Sequence, residues 1–415
     1  MLSNLKLLPL IILPITLLIS SGAADFVIIL SVIFFLLNSI KNKNFYWIKD
    51  KYFILLFIFY IYLLVNFYFS QSREESLGRA FGFIRFPLFI MSIKYFFLKD
   101  FSKINVVIKF WTITVIIVLI DTLIQFFYGK NILGYPVLMM GHLTRLSSFL
   151  GKEYKIGGYL LVFSFIIFAY FLSNFSKKNF YKKILIFLFY LLSLTTIFLT
   201  GERSNFIIFC LCSIFFIFFS NFKSKYKIFL SMFLLIFTIF ILSSFPVLKN
   251  RLVNETLDIV KSKNSTFKHS ILQSQYGAHY LTAYNIFKDY PFFGSGIKTF
   301  RIVCENKKYE NYNVVWSKHR CTTHPHNIIL EFLSELGIFG SLIFLTFFSY
   351  LIFTRIFYFL KNKSNFLLGL IICSTFFYFP LLPRGSFFTN WNAVMFWTII
   401  SLLISFTNTK KINFK

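Results

Sequence analysis

Two histidines, His324 and His326, are the first residues of this chain whose type and spacing could do chemistry. They precede a stretch in which apolar residues recur at helical spacing, and Pro325 suits the first turn of that helix. His326 is therefore expected at the positive end of a helix dipole, which favours the neutral, proton-accepting imidazole. Two interpretations fit: His326 is a general base with His324 in support, or it is a structural residue that satisfies the helix N-terminus. Asn327 beside it either orients the imidazole or caps the helix.

An arginine between two apolar runs is the second candidate for chemistry. Arg203 lies in the short segment Thr200–Phe206, which puts it near a membrane boundary. A guanidinium offers a planar fork of donors that fits phosphate oxygens, and it stays charged. A charge at that depth is costly unless it is paired. Arg203 therefore either pairs with the neighbouring Glu202 or binds a phosphate group of a ligand.

The composition indicates that membrane helices position these residues. The chain has 415 residues, of which 57% are hydrophobic and 22% aromatic. Apolar runs of roughly 17 to 25 residues recur along it, the length that a hydrocarbon core demands of a helix. We predict an all-α polytopic membrane protein with about 12 transmembrane helices and one large, mostly helical periplasmic loop. The predicted helices are 5–21, 25–41, 52–69, 78–97, 104–127, 156–174, 183–200, 204–220, 226–245, 337–359, 365–382 and 391–407.

Positive charge divides the loops between two sides of the membrane. The formal net charge is +28, but the cations are dispersed through short loops, which is typical of topology signals and not of a nucleic-acid interface. Anionic lipid headgroups of the bilayer attract part of this charge. Every second loop is rich in lysine, so these loops and both chain termini are predicted to be cytoplasmic. The opposite loops contain almost every arginine: Arg79, Arg85, Arg145, Arg203, Arg251, Arg301, Arg320 and Arg384.

On this topology the chain divides into three parts. Residues 1–245 form transmembrane helices 1 to 9, residues 246–325 form the extramembrane loop, and residues 326–415 form the motif helix and the last three transmembrane helices. Within the loop, helices are predicted at 254–263 and 280–290, the second ending at Pro291. A loop of this length can bury only a small core, so we expect it to pack onto the membrane domain.

Four sequence blocks, in this order, resemble the family of O-antigen ligases and lipid-linked polysaccharide polymerases, which are bacterial membrane proteins. The blocks are Arg145–Leu160, Thr200–Phe206, Pro291–Gly296 and Thr323–Gly340, and together they extend over about half of the chain. The resemblance implies an all-helical glycosyltransferase of the bacterial inner membrane. It implies a glycan donor linked to undecaprenyl pyrophosphate and an acceptor such as lipid A-core or a growing glycan, which meet at the periplasmic face.

The resemblance also assigns roles to residues. Arg203 matches the arginine thought to bind the donor pyrophosphate, and His326 would take the proton from the acceptor hydroxyl. Direct displacement would then invert the anomeric carbon. No cofactor is expected, because arginines can neutralise a pyrophosphate without a metal. The histidines also lack cysteine or acidic partners at zinc-ligand spacing.

One part of the family pattern is missing here. The family usually has a second arginine followed by a tryptophan ahead of the glycine turn, which here is Pro291–Gly296. In this chain Gln275–Tyr280 contains neither residue. Arg301, Arg320 and His279 are the candidates to replace it, with Arg301 first because it follows the turn directly. His279 fits a structural role equally well. Arg145 either lines the acceptor path or is solvated among lipid headgroups.

Two cysteines, Cys304 and Cys321, flank the last segment of the extramembrane loop. In an oxidising compartment they would form a disulfide that stabilises the loop by roughly 3 kcal/mol, and the alternative is two free thiols.

Other functions remain open at this point. A polysaccharide polymerase or a protein O-oligosaccharyltransferase of the same family would use the same donor and residues. A lipid-linked oligosaccharide flippase would instead need ionisable residues at mid-membrane, broken helices and two related halves. A membrane scaffold without activity would leave the outward arginines and the histidine segment unexplained.

Overall fold

The computed structural model describes residues 6–140, 143–173, 179–250, 253, 274–310 and 316–406. This part of the chain is mostly helical, with one short antiparallel hairpin of β1 (Leu138–Met140) and β2 (Leu143–Arg145). The helices are α1 (Leu8–Ile19), α2 (Ser21–Lys41), α3 (Lys51–Tyr68), α4 (Arg73–Gly82), α5 (Arg85–Ser92), α6 (Ile104–Tyr128), α7 (Ile156–Leu172), α8 (Phe180–Leu199), α9 (Arg203–Phe219), α10 (Ser224–Ser244), α11 (Pro246–Lys249), α12 (Gln275–Asp289), α13 (Phe300–Val303), α14 (Ile328–Asn362), α15 (Asn365–Phe377) and α16 (Asn390–Ser405).

Every segment predicted to cross the membrane overlaps helical structure, and the segment predicted at 78–97 is divided between α4 and α5. Seven helical stretches are long and apolar enough to cross a bilayer: α2, α3, α8, α10, α14, the stretch Arg73–Phe97 and the stretch Phe101–Tyr128. The other five, α1, α7, α9, α15 and α16, are apolar but have only 10 to 17 residues. The helix predicted at 254–263 lies outside the described residues, as does Arg251.

The helices differ in how much of their surface is buried. Almost every side chain of α7 and of α16 is buried, so these two helices form the centre of the bundle. By contrast, α10 buries only Leu234 and Ile241 and exposes a mostly apolar surface. Apolar side chains around the whole circumference are typical of a helix that meets lipid. Burial and composition together therefore describe a multi-pass membrane protein.

The loops gather in two groups at the two ends of the bundle. In the lysine-rich group, the side chain of Asn365 donates a hydrogen bond to the carbonyl of Leu172 at 3.2 Å. In the other group, Arg384 joins the side chain of Asn205 to the backbone carbonyl of His326. Each of these contacts joins segments that belong to the same predicted set of loops, and the second set contains lysines such as Lys298 as well as arginines. We call the second group the His326 end.

A break in α14 connects the membrane helices to the extramembrane segment. At Gly337 the backbone leaves the helical conformation, with φ 64° and ψ −170°. The segment Pro291–Gly296 fills the gap: the N–H of Ser295 donates to the carbonyl of Ser334, and the N–H of Ile338 donates to that of Pro291, both at 2.8 Å. Irregular backbone at membrane depth needs such partners within the protein. The break is therefore a specific docking point for the glycine turn.

Asn66 of α3 forms hydrogen bonds to both parts of the junction between α14 and the Pro291–Gly296 turn. Its side-chain amide donates to the carbonyls of Phe293 at 2.6 Å and Glu335 at 2.9 Å, and its oxygen accepts from the N–H of Ile297 at 3.0 Å. Asn66 is completely buried, so water cannot reach its polar atoms. These three hydrogen bonds satisfy them instead. One side chain thereby connects α3 to both the glycine turn and α14.

A small second core lies in the described part of the extramembrane loop. A disulfide joins Cys304 to Cys321, with the Cα atoms 5.4 Å apart. Helix α12 begins at Gln275, five residues earlier than predicted, because the Ser274 hydroxyl caps it by accepting from the N–H of Gly277 at 3.1 Å. The core consists of Ala283, Ile286, Phe300, Cys304 and Tyr309.

Candidate active site

The motif helix begins later than predicted. The Asn327 side chain caps α14 by accepting from two N–H groups of the first turn at 3.0 and 3.1 Å, so the helix starts at Ile328. The expectation that Pro325 lies in the first turn is therefore wrong. His326 precedes the cap in a left-handed conformation with φ 58°. It still lies beside the N-terminus of α14, but outside the helix.

Three histidines and a tyrosine surround one another at this point. The ring centroids of His324 and His326 are 4.2 Å apart. The ring of His279, from α12, lies 5.6 Å from that of His326, and the ring of Tyr276 lies 5.5 Å from it nearly edge-on. His279 and His324 are buried, whereas His326 is partly exposed. His326 is therefore the histidine that a ligand can reach most easily.

Backbone carbonyls orient the two flanking histidines. The Nε2 of His324 lies 2.9 Å from the carbonyl of Arg384, and its Nδ1 lies 2.9 Å from the Thr323 hydroxyl. The Nδ1 of His279 lies 3.0 Å from the carbonyl of Arg320. A carbonyl only accepts, so the Nε2 of His324 and the Nδ1 of His279 carry a proton, and the Nδ1 of neutral His324 accepts from the Thr323 hydroxyl. Among the described residues, no three histidine, cysteine or acidic side chains are grouped as metal ligands.

The environment keeps the imidazoles uncharged. Burial, reinforced by the neighbouring His279, lowers the pKa of His326 to about 4, against the smaller opposing effect of the Arg384 carbonyl. Burial and the charge of His326 lower the pKa of His324 to about 3. Burial also lowers the pKa of His279. At neutral pH all three rings are neutral, and His326 is a proton acceptor.

Arg384 links two of the sequence blocks: Thr323–Gly340, which we call the histidine block, and Thr200–Phe206, which we call the arginine block. Its backbone N–H donates to the carbonyl of His326 at 2.9 Å, and its guanidinium donates to the side-chain oxygen of Asn205 and to the carbonyl of Phe377. The sequence placed Arg384 among the outward arginines but gave it no role. Its position in the short loop between two apolar helices was the signal that could have identified it.

The arginine block itself is tied to the start of α7. The carboxylate of Glu202 accepts from the N–H of Gly157 at 2.6 Å and from the side chain of Asn205. Burial raises the pKa of Glu202 to about 7, although Gly157, Arg145 and Asn205 all act to lower it. Arg203 follows as the first residue of α9 and is partly buried. Two of the four sequence blocks are thus in direct contact.

Arg145 lies near Glu202 with part of its guanidinium still available. Its Nη1 is 3.4 Å from the carbonyl of Tyr154, and its buried Nε has no hydrogen-bond partner in the described part of the chain. A buried donor without a partner is costly, so this atom is suited to an acceptor supplied by a ligand.

Arg301 and Lys298 bring further positive charge to the same end. The Nζ of Lys298 donates to the Ser386 hydroxyl at 3.1 Å, and that hydroxyl donates to the carboxylate of Glu331. Burial lowers the pKa of Lys298, whereas Glu331 and Glu335 raise it. The Nε of Arg301 is buried without a hydrogen-bond partner among the residues described. Sequence reasoning missed Lys298, which looks like an ordinary loop lysine.

Arg320 is occupied by the backbone of its own loop. Its guanidinium donates to the carbonyls of Cys304 at 3.0 Å, Glu305 at 3.1 Å and Ser317 at 3.4 Å. All these partners belong to the disulfide-closed segment. The structure therefore gives this side chain a role in shaping the loop, and Arg301 remains the more available of the two arginines.

Comparison with known proteins finds a family similarity over the part of the chain that contains Arg203, Arg301 and His326. Residues 188–345 match the family model described as O-antigen ligase. The matched range includes the arginine block, the glycine turn and the histidine block, and it confirms the resemblance drawn from those motifs. No curated protein matches the chain. Residues 188–345 of the chain are thus similar to the O-antigen ligase family.

Proposed function

We propose that the protein transfers a glycan from a polyprenyl-pyrophosphate carrier to a sugar hydroxyl, in the manner of an O-antigen ligase. The observation that carries the proposal is the Arg384 bridge, because it brings the Thr200–Phe206 and Thr323–Asn327 segments to one end of the bundle. The similarity of residues 188–345 to the O-antigen ligase family supports glycan transfer between lipid-linked and acceptor substrates at a membrane.

In this proposal Arg203 holds the donor pyrophosphate, with Arg301 in the place of the missing family arginine. Each of these arginines carries a guanidinium group, whose planar fork of donors fits two phosphate oxygens at once. The unpartnered Nε of Arg301 supports this role. Positive charge fixed in advance at the leaving group stabilises the transition state, and such electrostatic stabilisation is usually the largest catalytic effect.

His326 is the general base of the proposed reaction. The acceptor oxygen attacks the anomeric carbon while its proton passes to the neutral imidazole. The bond from that carbon to the pyrophosphate oxygen breaks, and its electron pair leaves with the pyrophosphate. Attack opposite to the leaving group inverts the anomeric centre. In this proposal His324, whose ring lies against that of His326, positions the base, and Asn327 fixes the start of α14 beside it.

The acceptor distinguishes the ligase from its relatives. A polymerase or a protein O-oligosaccharyltransferase would use the same donor site. Deleting the gene and analysing surface glycans separates these possibilities: loss of all polymer on lipid A-core identifies a ligase, whereas core capped by a single repeat identifies a polymerase. We favour transfer over a flippase, because protein backbone fills the break at Gly337 and leaves no room there for a substrate.

The proposed location is the bacterial inner membrane, with both termini cytoplasmic and the His326 end facing the periplasm. Lysine-rich loops at the opposite end support this orientation.

Replacing the base tests the reaction. His326→Ala should lower transfer by roughly 10²–10⁴-fold, the usual contribution of a general base, while the protein still inserts into the membrane at a normal level. The exposed His319 of the extramembrane loop provides the matched control, and His319→Ala should retain wild-type transfer. Full activity in His326→Ala would remove the base assignment.

Replacing the arginine tests the donor site. Arg203→Lys keeps the charge but loses the fork, so donor use should fall at least tenfold, the effect of about 1.4 kcal/mol, with little change in acceptor KM. The exposed Arg73 is the control, and Arg73→Lys should have no effect on donor kinetics. Unchanged donor kinetics in Arg203→Lys would exclude its phosphate role.

A further inference from the structure

A polar cavity lies at the His326 end, between the N-terminal parts of α2 and α16 and helices α4 and α5. Its volume is about 390 Å³, within the range of small-molecule binding sites. No histidine lines it. The side chains that matter are Asp25, Glu74, Glu75, Arg79, Arg85 and Asn390.

Hydrogen bonds hold the floor of this cavity in place. The Nε of Arg85 lies 2.6 Å from a carboxylate oxygen of Asp25. Arg85 and Arg79 both donate to the side-chain oxygen of Asn390, and the amide nitrogen of Asn390 lies 3.4 Å from the second Asp25 oxygen. Four polar side chains from separate helices therefore form one fixed surface, which a ligand meets without reorganisation.

The charge of the lining argues against an anionic ligand. Three carboxylates face two guanidiniums, so the cavity carries one net negative charge. Arg85 is already neutralised by its ion pair with Asp25. A pyrophosphate would bring at least two more negative charges to this surface. Carboxylate, guanidinium and amide groups side by side instead offer alternating donors and acceptors, which suit the adjacent hydroxyl groups of a neutral sugar or an aminosugar.

One loop connects this cavity to the histidine site. Arg384 touches His324 and His326 at the start of the loop, and Asn390 touches the cavity at its end. Six residues span at most about 20 Å when fully extended, so the cavity lies within that distance of Arg384. The side chain of Ser386, between them, bonds both Lys298 and Glu331 and fixes the middle of the loop.

We propose that the cavity of Arg79, Arg85, Asp25 and Asn390 binds a sugar unit of the acceptor glycan. Sugar binding follows from the cavity itself, whereas its assignment to the acceptor rests on the proposed function. The donor pyrophosphate occupies the arginines near His326, and the acceptor chain extends from His326 towards this cavity.

Ligand-detected NMR on the full chain in phosphatidylcholine nanodiscs tests the proposal. The probes are a panel of methyl glycosides of hexoses and aminohexoses, with inorganic pyrophosphate and O-phosphoethanolamine as competitors. At least one glycoside should bind to the wild type and should not be displaced by either competitor. Arg79→Gln and Glu75→Gln should each weaken that binding at least fivefold, and Arg73→Gln, on the same helix but outside the cavity, should not.

Glu75 is partly exposed and Glu75→Gln is nearly isosteric, so this variant keeps the test valid if Arg79→Gln fails to fold. Absence of binding by every glycoside would overturn the proposal. Displacement by pyrophosphate would make the cavity a phosphate site, and displacement by O-phosphoethanolamine would make it a lipid headgroup site. His326→Ala should still bind the glycoside, so failure of the base assignment and failure of the sugar site are separate outcomes.

Discussion

His326 is kept neutral by its surroundings rather than by a fixed partner. Burial beside His279 lowers its pKa to about 4, which is low for a base that works near neutral pH. A bound pyrophosphate would change this, because a nearby anion favours the imidazolium and raises the pKa. The base would then gain strength when the donor is present. Such coupling would limit proton transfer to the loaded enzyme.

This coupling makes a prediction about pH. The acid limb of kcat/KM, which reports the free enzyme, should lie near pH 4 rather than 6.5, because His326 loses activity only when it is protonated. The acid limb of kcat, which reports the substrate complex, should lie at higher pH. Rates measured between pH 3.5 and 8, an interval chosen around these pKa values, test both limbs.

Glu202 requires a separate control in that experiment. Burial raises its pKa to about 7, so it titrates in the same range. The profile should be repeated in Glu202→Gln: a limb near pH 7 that vanishes belongs to Glu202, and the lower limb should remain. Identical limbs for kcat and kcat/KM in this variant would contradict the coupling.

At the scale of single residues, the sequence singled out part of the candidate site and did not single out Arg384 and Lys298. His326, Asn327 and Arg203 stand out because their local spacing is unusual among apolar runs. Arg384 and Lys298 do not, because their importance comes from partners far away in the chain. Local spacing carries no information about such pairings.

At the scale of elements, the break in α14 explains why two distant motifs occur together. The Pro291–Gly296 turn and the Ser334–Phe339 stretch pair backbone to backbone, so neither is complete without the other. A Cβ at Gly294 or at Gly337 would overlap the facing backbone. The sequence predicted a motif helix and, from residue 337, a separate transmembrane helix. It did not predict the backbone pairing that stabilises the break between them, because the partner segment lies some forty residues earlier.

Gly337→Ala should therefore be strongly destabilising. Its backbone conformation is accessible almost only to glycine and would cost of order 1–3 kcal/mol, before the overlap with Phe292 and Gly294 is counted. Thermal unfolding in nanodiscs should reveal a lower midpoint and a smaller folded yield. Gly22→Ala in α2, where a Cβ meets only the Ser20 side chain at 3.8 Å, should leave both unchanged. Wild-type stability of Gly337→Ala would mean that the break is not a fixed feature.

At the scale of the whole molecule, most arginines lie in the set of loops that contains His326, whereas lysines such as Lys130 and Lys225 occur in both sets. Lysine needs only to be positive for topology, whereas the arginines at the His326 end make specific contacts with backbone and side chains. The fold class and the helix positions followed from composition and run length, since the membrane imposes a strict length on apolar helices. The site is thus assembled from residues that topology alone would not require.

Labelling with a membrane-impermeant maleimide tests the proposed orientation. Lys130→Cys, in the loop after α6, should react from the periplasmic side, and Lys225→Cys, at the start of α10, should not. Both lysines are exposed, so access to the reagent and not burial decides the result. The reverse pattern would place the His326 end in the cytoplasm and exclude a periplasmic reaction.

The interruption at Gly337 also has a consequence for biosynthesis. The apolar piece Ile338–Asn362 can leave the translocation channel for lipid, whereas the preceding piece carries Glu331 and Glu335, which lipid disfavours. That preceding piece finds its backbone partners only in Pro291–Gly296, a loop that the ribosome has already released. We therefore expect the Pro291–Gly296 loop to stay without these backbone partners until α14 emerges, so the junction between them forms late in translation.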